Sequence, residues 1–240
     1  VKPQLWKIPV SSVAHEKLQH QFNQLVERLK EIKRVHGQVK FATSLAAEDM
    51  VLTDAIVYAK ADIHLFTLET GRLHAQTVQM IETVEKHYDI KIERLYPAKE
   101  DVDAFVNQYG LNGFYESEEA KKACCHFRKV KLLNQALKTV DAWLTGQRRE
   151  QAVTRADLPL EELDAERGVA KFNPLFDWTE SEVWAYLDWR KVPMHPLHLQ
   201  GYPSIGCEPC TRSIKQGEDV RAGRWWWLQQ ESKECGLHVK

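Results

Sequence analysis

The chain contains no apolar run approaching the roughly 18 residues needed to cross a bilayer. Its N-terminal stretch, VKPQLWKIPV, has no signal-peptide core. These absences argue against membrane-spanning and secretory classes, and the cytoplasm is the expected location. A charge excess of one sign is missing as well: 33 Lys and Arg stand against 34 Asp and Glu, a formal net charge of −1. No global field therefore draws the chain to nucleic acid or a membrane surface. A Gly-rich phosphate loop is absent, which argues against an ordinary Walker-type site. There is no internal repeat and no low-complexity linker. Cysteine is scarce, with 5 in 240 residues. An odd count in a reducing compartment argues against a disulfide framework and for metal or catalytic use.

What is present suffices for a folded core. Hydrophobic residues make up 43% and charged residues 28% of the chain, a globular balance at the upper end of single-domain length. Leu18, Phe22, Leu25, Leu29 and Ile32 recur at spacings of three and four, which predicts an amphipathic helix over 12–36, ended by Gly37. A strand is expected at 38–44, a helix at 48–60, a strand at 62–69, a helix at 73–87 and a strand at 90–96. This alternation implies a parallel sheet with helices on both faces. Residues 98–123 read as polar and helical in pieces, 124–138 as helical and 140–146 as a strand. Residues 147–168 read as charged and turn-like. A short helix is expected at 179–188, with Thr179 as N-cap and Glu182 completing a capping box. The last fifty residues, rich in Pro, Gly and Trp, are expected to hold little regular structure.

Four of the five cysteines form two pairs far apart in sequence, Cys124-Cys125 and Cys207-Glu-Pro-Cys210. Two distant pairs can close on one metal centre. Adjacent cysteines suit an iron–sulfur cluster better than a single zinc, whose tetrahedral cage prefers ligands two to four residues apart. On a helix the vicinal pair would project about 100° apart, so both could reach one cluster. Lys121, Lys122, Arg128 and Lys129 around it would stabilise an anionic, thiolate-ligated centre. The alternatives are buried cysteines on a solvated basic helix and, for the CxxC, a redox pair. Cys235 stands alone in Glu-Cys-Gly-Leu-His, where Gly236 loosens the tail and His238 lies three residues from the thiol.

Other motifs fall at the expected ends of strands, where ligands of parallel α/β sheets bind. Thr43-Ser44-Leu-Ala-Ala-Glu48-Asp49 could offer hydroxyls and free N–H groups to an anion, or could be an ordinary turn with Ser44 as N-cap. Glu69-Thr70-Gly71-Arg72 would line the same crevice, or supply a turn glycine and a surface arginine. Gly146-Gln147-Arg148-Arg149 suits bidentate recognition of phosphate or sulfate, or forms a charged surface loop. Arg221 and Arg224 precede three tryptophans that could stack on a base, although packing is their commoner role.

Together, SLAAEDMVL, LETGRLH, KKACCHFRKV, LTGQRREQ, FNPLFDWTESEVWAYL, YPSIGCEPCTR, GRWWW and ECGLH resemble, in order and over nearly the whole chain, the assimilatory adenylyl-sulfate reductases. These belong to the phosphoadenylyl-sulfate reductase family, with its adenine-nucleotide alpha hydrolase-like fold. The resemblance implies thioredoxin-dependent reduction of adenylyl sulfate to sulfite and AMP in sulfate assimilation and cysteine biosynthesis. It implies a [4Fe-4S] cluster on Cys124, Cys125, Cys207 and Cys210, and Cys235 as the nucleophile that becomes an S-sulfonate. It implies substrate contacts from Lys129, Arg148 or Arg149, Arg221, Arg224 and His238, with Thr43 and Ser44 in the nucleotide loop and Arg72 beside it. Residues 1–205 would form the nucleotide-binding α/β part and 206–240 a C-terminal segment with a mobile tail, most simply within one structural domain. Homo-oligomers are common in such a family. Ala46 replaces a glycine frequent among relatives, which keeps the 3′-phosphorylated nucleotide as an alternative substrate. A cluster-binding tRNA thiolase would need an SGGxDS loop, which this chain lacks. A zinc-stabilised non-enzymatic protein is a third reading.

Overall fold

The computed structural model describes residues 4–229, 233 and 236–238. Helix α1 (His15–His36) leads into strand β1 (Val39–Ala42), then α2 (Ala47–Ala59), β2 (His64–Leu68), α3 (Ala75–Tyr88) and β3 (Glu93–Leu95). Helices α4 (Lys99–Tyr109), α5 (Glu118–Cys125) and α6 (Lys131–Ala136) follow, then β4 (Ala142–Leu144), β5 (Glu161–Asp164), β6 (Val169–Phe172) and α7 (Glu180–Arg190). The strands form one six-stranded sheet in the order β3-β2-β1-β4-β6-β5. Every pairing is parallel except β5 with β6.

The strands alternate their side chains between two cores, as a period of two requires. Val39, Phe41, Leu65, Ala142 and Leu144 face the larger core with residues of α1, α2, α3 and α7. Phe66 and Trp143 face a smaller one with Leu133, Ala136, Leu137 and Val140. The helices therefore cover both faces. Asp54 of α2 ties three helices together by accepting hydrogen bonds from Tyr88 (3.1 Å), Tyr186 (2.5 Å) and Arg190 (2.8 Å). Thr179 and Glu182 form the reciprocal capping box at the start of α7, a motif worth about 1 kcal/mol.

Three expectations are corrected. The segment 147–168 is not only turn-like: it contains β5, which pairs antiparallel with β6 just beyond it, so the sheet is mixed. Strand β5 reads EELD at the sheet edge, where Glu161 is exposed and Asp164 is buried against Arg167 (2.8 Å). The helix expected over 124–138 is interrupted by a π-turn at His126–Val130, immediately after the cysteine pair. Ser44 does not cap α2; Ala46 holds that position without a side-chain cap. Among the described residues, no helix is long and apolar enough to cross a membrane.

His195 sets a pH limit on the fold. Its Nδ1 accepts the Leu197 N–H (3.2 Å), so the ring proton resides on Nε2 and is donated to Thr77 Oγ1 in α3 (2.9 Å). The ring is fully buried. Burial first, then His198 and His74, depresses its pKa to about 3. The unfolded chain takes up this proton near pH 6.5 and the folded chain does not, so stability is lost as pH falls from 6.5 towards 3. His195 is expected to contribute on the order of 2 kcal/mol of loss between pH 7 and pH 5, read by urea unfolding at the two pH values as the difference between wild type and variant. The variant His195→Asn, whose amide oxygen keeps the turn capped, should be spared most of that loss.

Candidate active site and cysteine pocket

Strand β1 pairs with β2 on one side and β4 on the other, so the chain reverses its direction of travel across the sheet there. Parallel sheets bind ligands at such a reversal, beyond the carboxyl ends of the strands. A cleft opens at that point, with about 1570 Å³ of empty space including its mouth. Thr43 and Ser44 line it after β1, Thr70 and Leu73 after β2, and Thr145, Gly146 and Arg148 after β4.

The turn from β1 into α2 is tied by its own side chains. Ser44 donates both its backbone N–H and its hydroxyl to Asp49 Oδ2, each at 2.6 Å. Thr43 Oγ1 accepts from the Leu45 N–H (3.1 Å), and Ser44 Oγ accepts from the Ala46 N–H (3.3 Å). Leu45 is buried and left-handed, at φ 63°, a conformation costing a non-glycine residue about 1–2 kcal/mol. The N–H groups of residues 44–46, read from sequence as free for an anion, are thus already partnered. Asp49 lies so near β4 that a Cβ on Gly146 would sit 2.1 Å from its Oδ1, and only glycine fits. Burial raises the Asp49 pKa to about 6 against the opposing hydrogen bonds from Ser44.

Of the nine residues assigned to substrate, seven line this cleft: Thr43, Ser44, Lys129, Arg148, Arg221, Arg224 and His238. Arg148 is paired with Glu48, whose Oε1 accepts from Nε (3.0 Å) and Nη2 (2.8 Å). Burial alone would raise the Glu48 pKa, but the charge and hydrogen bonds of Arg148 leave it lowered. Arg221 donates to the Lys233 carbonyl (2.9 Å), and Arg224 to Ser204 Oγ (3.1 Å). His238 stacks on Trp143 with ring centroids 5.7 Å apart and planes 3° from parallel. Burial, then Lys171, Arg155, Arg221 and Arg167, holds its pKa well below the usual histidine value. Arg167 donates to the carbonyl of Leu237 (3.3 Å). Cys235 lies outside the described residues.

The other two assigned residues lie elsewhere. Arg149 is turned away: its Nε donates to Leu158 O (2.9 Å) and its guanidinium covers Phe176 at 4.7 Å. Arg72 faces the cysteines, donating to Leu111 O (3.1 Å) and Asn112 Oδ1 (2.8 Å) over the ring of Phe114. Sequence reasoning overlooked Asp49 as more than a helix-dipole acid, and Arg155 and Trp143 as cleft residues. Trp143 could have been found from its place between Ala142 and Leu144, which sends it to the opposite face of the sheet. Trp225 is buried, with Lys121 (4.7 Å) and Arg224 (4.6 Å) over its ring, so its main role is packing.

Next to the cleft, Cys124, Cys125, Cys207 and Cys210 line one small pocket with Arg72, Phe114, Arg128, Lys129, Pro209 and Trp225. Lys129, Cys207 and Trp225 line both spaces. None of the four cysteines is in a disulfide. Leu73 and Cys207 form an antiparallel bridge, and Glu208 N–H donates to Arg72 O (2.8 Å). Thr70 Oγ1 lies 3.2 Å from Cys207 Sγ, and Arg128 donates to Thr70 O (2.7 Å). Burial raises the Cys124 pKa, opposed by Arg128 and Lys129, and pushes Cys210 up to about 12. Four thiolates in that pocket would need a cationic centre to balance them. Among the described residues, no three His, Cys, Asp or Glu groups converge as ligands of a single ion. A set of thiols spread around one pocket fits a multi-iron cluster, in which each iron takes its own ligand.

Residues 38–213 match the sequence model described as the phosphoadenosine phosphosulfate reductase domain. The chain is 59% identical over 211 residues to an adenosine 5′-phosphosulfate reductase of Burkholderia cepacia, covering 88% of this chain and 84% of that one. It is 50% identical over 239 residues to a protein of the same name from Neisseria meningitidis serogroup B, covering 99% and 97%. Among solved structures, the phosphate complex of phosphoadenylyl-sulfate reductase from Candida auris superposes with a TM-score of 0.65 at 25% identity, over 83% of this chain and 98% of that one. An NH3-dependent NAD synthetase from Campylobacter jejuni shares the fold at 12% identity, with a TM-score of 0.54 over 78% of each chain. On a sequence match spanning most of its length, and on relatives at half identity or more, the chain belongs to the phosphoadenosine phosphosulfate reductase family of oxidoreductases.

Proposed function

We propose that this chain reduces adenosine 5′-phosphosulfate to sulfite and AMP, with thioredoxin as the dithiol donor. The observation that carries the reading is the junction of the two spaces. Lys129 borders both the cleft and the cysteine pocket, and Arg148, Arg221, Arg224 and His238 border the cleft. Lysine and arginine side chains in the wall of a cleft suit a phosphosulfate, and hydroxyls at the strand ends suit the rest of a nucleotide.

The proposed chemistry is thiol chemistry. The Cys235 thiolate attacks the sulfate sulfur, and the bond from that sulfur to the bridging oxygen breaks. AMP departs with the electron pair, leaving Cys235 as an S-sulfonate. The bridging oxygen becomes a phosphate oxygen, so Lys129, Arg221 and Arg224 stabilise charge where it develops. A thioredoxin thiolate then attacks the Cys235 sulfur and expels sulfite. The second thioredoxin thiol resolves the mixed disulfide and restores Cys235, so the dithiol supplies both electrons. The tail must present Cys235 first to the cleft and then to a protein partner, and we propose that it opens between the two steps. Its closed position is supported by Leu237 and His238, which line the cleft.

Cys124, Cys125, Cys207 and Cys210 would hold a [4Fe-4S] cluster. When bound, the cluster would supply a charged, polarisable neighbour to Lys129, an electrostatic and structural role.

Two results are expected. Anaerobically purified, iron-loaded protein treated with adenylyl sulfate and no thioredoxin should acquire a sulfonate that maps to Cys235. Reduced thioredoxin should release it, and Cys235→Ser should form no adduct while retaining its iron. An unmodified wild type would overturn the reading. An adduct formed only with the 3′-phosphorylated nucleotide would reassign the substrate to the one named for the Candida auris structure. Iron analysis provides the second check. About four irons per chain are expected, and Cys210→Ala should lose both colour and iron. A colourless wild type with one zinc per chain would overturn the cluster assignment.

A further inference from the structure

The turn between β1 and α2 contains a carboxylate with no part in the chemistry above. Asp49 Oδ2 takes both donors of Ser44, at 2.6 Å each, and the Ser44 hydroxyl in turn accepts the Ala46 N–H at 3.3 Å. This chain of bonds spans the left-handed Leu45 and leads from the first turn of α2 back to the end of β1. Asp49 itself is only 7% exposed. Its other oxygen lies over Gly146, where any side chain would collide with it. The carboxylate is thus wedged between two of the loops that form the cleft, and it holds the first by hydrogen bonds.

We propose that Asp49 is a positioning residue for nucleotide binding, clamping the Ser44–Leu45–Ala46 turn in the shape that lines the cleft. The inference rests on the proposed adenine-nucleotide site. It adds a residue that acts through Ser44 and itself lines the cleft. A purely structural role would predict that Asp49 supports the fold, and the electrostatics point the other way. Burial raises its pKa to about 6, so above that pH its ionised form costs folding stability relative to the unfolded chain. An adverse buried charge retained at the mouth of a binding cleft is consistent with a role in function.

A clamp on the non-reacting part of a nucleotide stabilises ground state and transition state alike. Its loss therefore raises KM and leaves kcat nearly unchanged. Both Ser44 donors fall on one oxygen, so the amide oxygen of Asp49→Asn can replace it. Calorimetric binding of AMP to iron-loaded protein reads the clamp without turnover. Asp49→Ala is expected to weaken AMP binding and raise KM for adenylyl sulfate by about tenfold or more. Its kcat should stay within about threefold of wild type. Asp49→Asn is expected to stay within about threefold in both binding and KM, with a melting temperature no lower than that of the wild type. Should the alanine variant not fold, Asp49→Leu, similar in shape and unable to accept a hydrogen bond, takes its place.

Three results would overturn the inference: unchanged AMP affinity in the alanine or leucine variant, an asparagine variant as weak as alanine, or no AMP binding by the wild type. A wild type that binds AMP and follows the expected variant pattern, yet reduces no adenylyl sulfate, would keep the clamp and defeat the functional reading instead.

Discussion

The main-chain pairing between residues 72–73 and 207–208 joins parts of the molecule that the sequence keeps far apart. Leu73 bridges Cys207, and Glu208 donates to Arg72 O at 2.8 Å. This pairing docks the CxxC turn against the loop that follows β2. Arg128, reaching back from the π-turn, donates to Thr70 O in the same loop at 2.7 Å. One short loop at the end of a central strand therefore holds both cysteine segments, and the four thiols share a pocket because of it. The π-turn contributes by placing an extra residue per turn after Cys125, a deformation often found where helices build functional sites.

Charge is distributed unevenly around the cleft, in a way that follows from the cost of burying ions. In its lining Arg148 is matched by Glu48, and outside it Lys171 is matched by Glu162 and Arg167 by Asp164, each pair within 3.2 Å. Pairing satisfies the geometry that buried charges require. It also makes Arg148 a group held in place, whose guanidinium edge is already occupied by a carboxylate. Lys129 is different in position, since it stands at the wall common to the cleft and the cysteine pocket. A cation at that wall can feel charge on either side, which links what occupies one space to what binds in the other.

The elements that periodicity made legible were those with a single buried face. Helix α1 shows Leu18, Phe22, Leu25, Leu29 and Ile32 buried on one side, and strands β1, β2 and β4 lie inside the ranges their apolar runs suggested. The β5–β6 pair was missed because charged residues dominate β5 and turn residues surround it. Its two strands are joined by the short turn at 165–168, and β6 also pairs with β4, a contact that periodicity does not reveal. Arg149 was misplaced for a related reason. Two adjacent arginines after a strand are equivalent in sequence, and only the backbone direction after Gly146 sends one to Glu48 and the other over Phe176.

Composition and motif order alone determined the family resemblance, the α/β class and the set of chemically distinctive side chains. Those properties reside in residue identity and short-range spacing, which a linear sequence carries in full. Tertiary structure decided which side chains meet. Cys207 reaches Thr70 and the pocket of Cys124 through a pairing over more than one hundred residues, and His238 finds Trp143 from the far end of the chain. It also decided that the amides of the β1–α2 turn are tied to Thr43, Ser44 and Asp49. A hydrogen bond or a ring stack depends on distances of a few ångströms, and only the packed chain sets those distances.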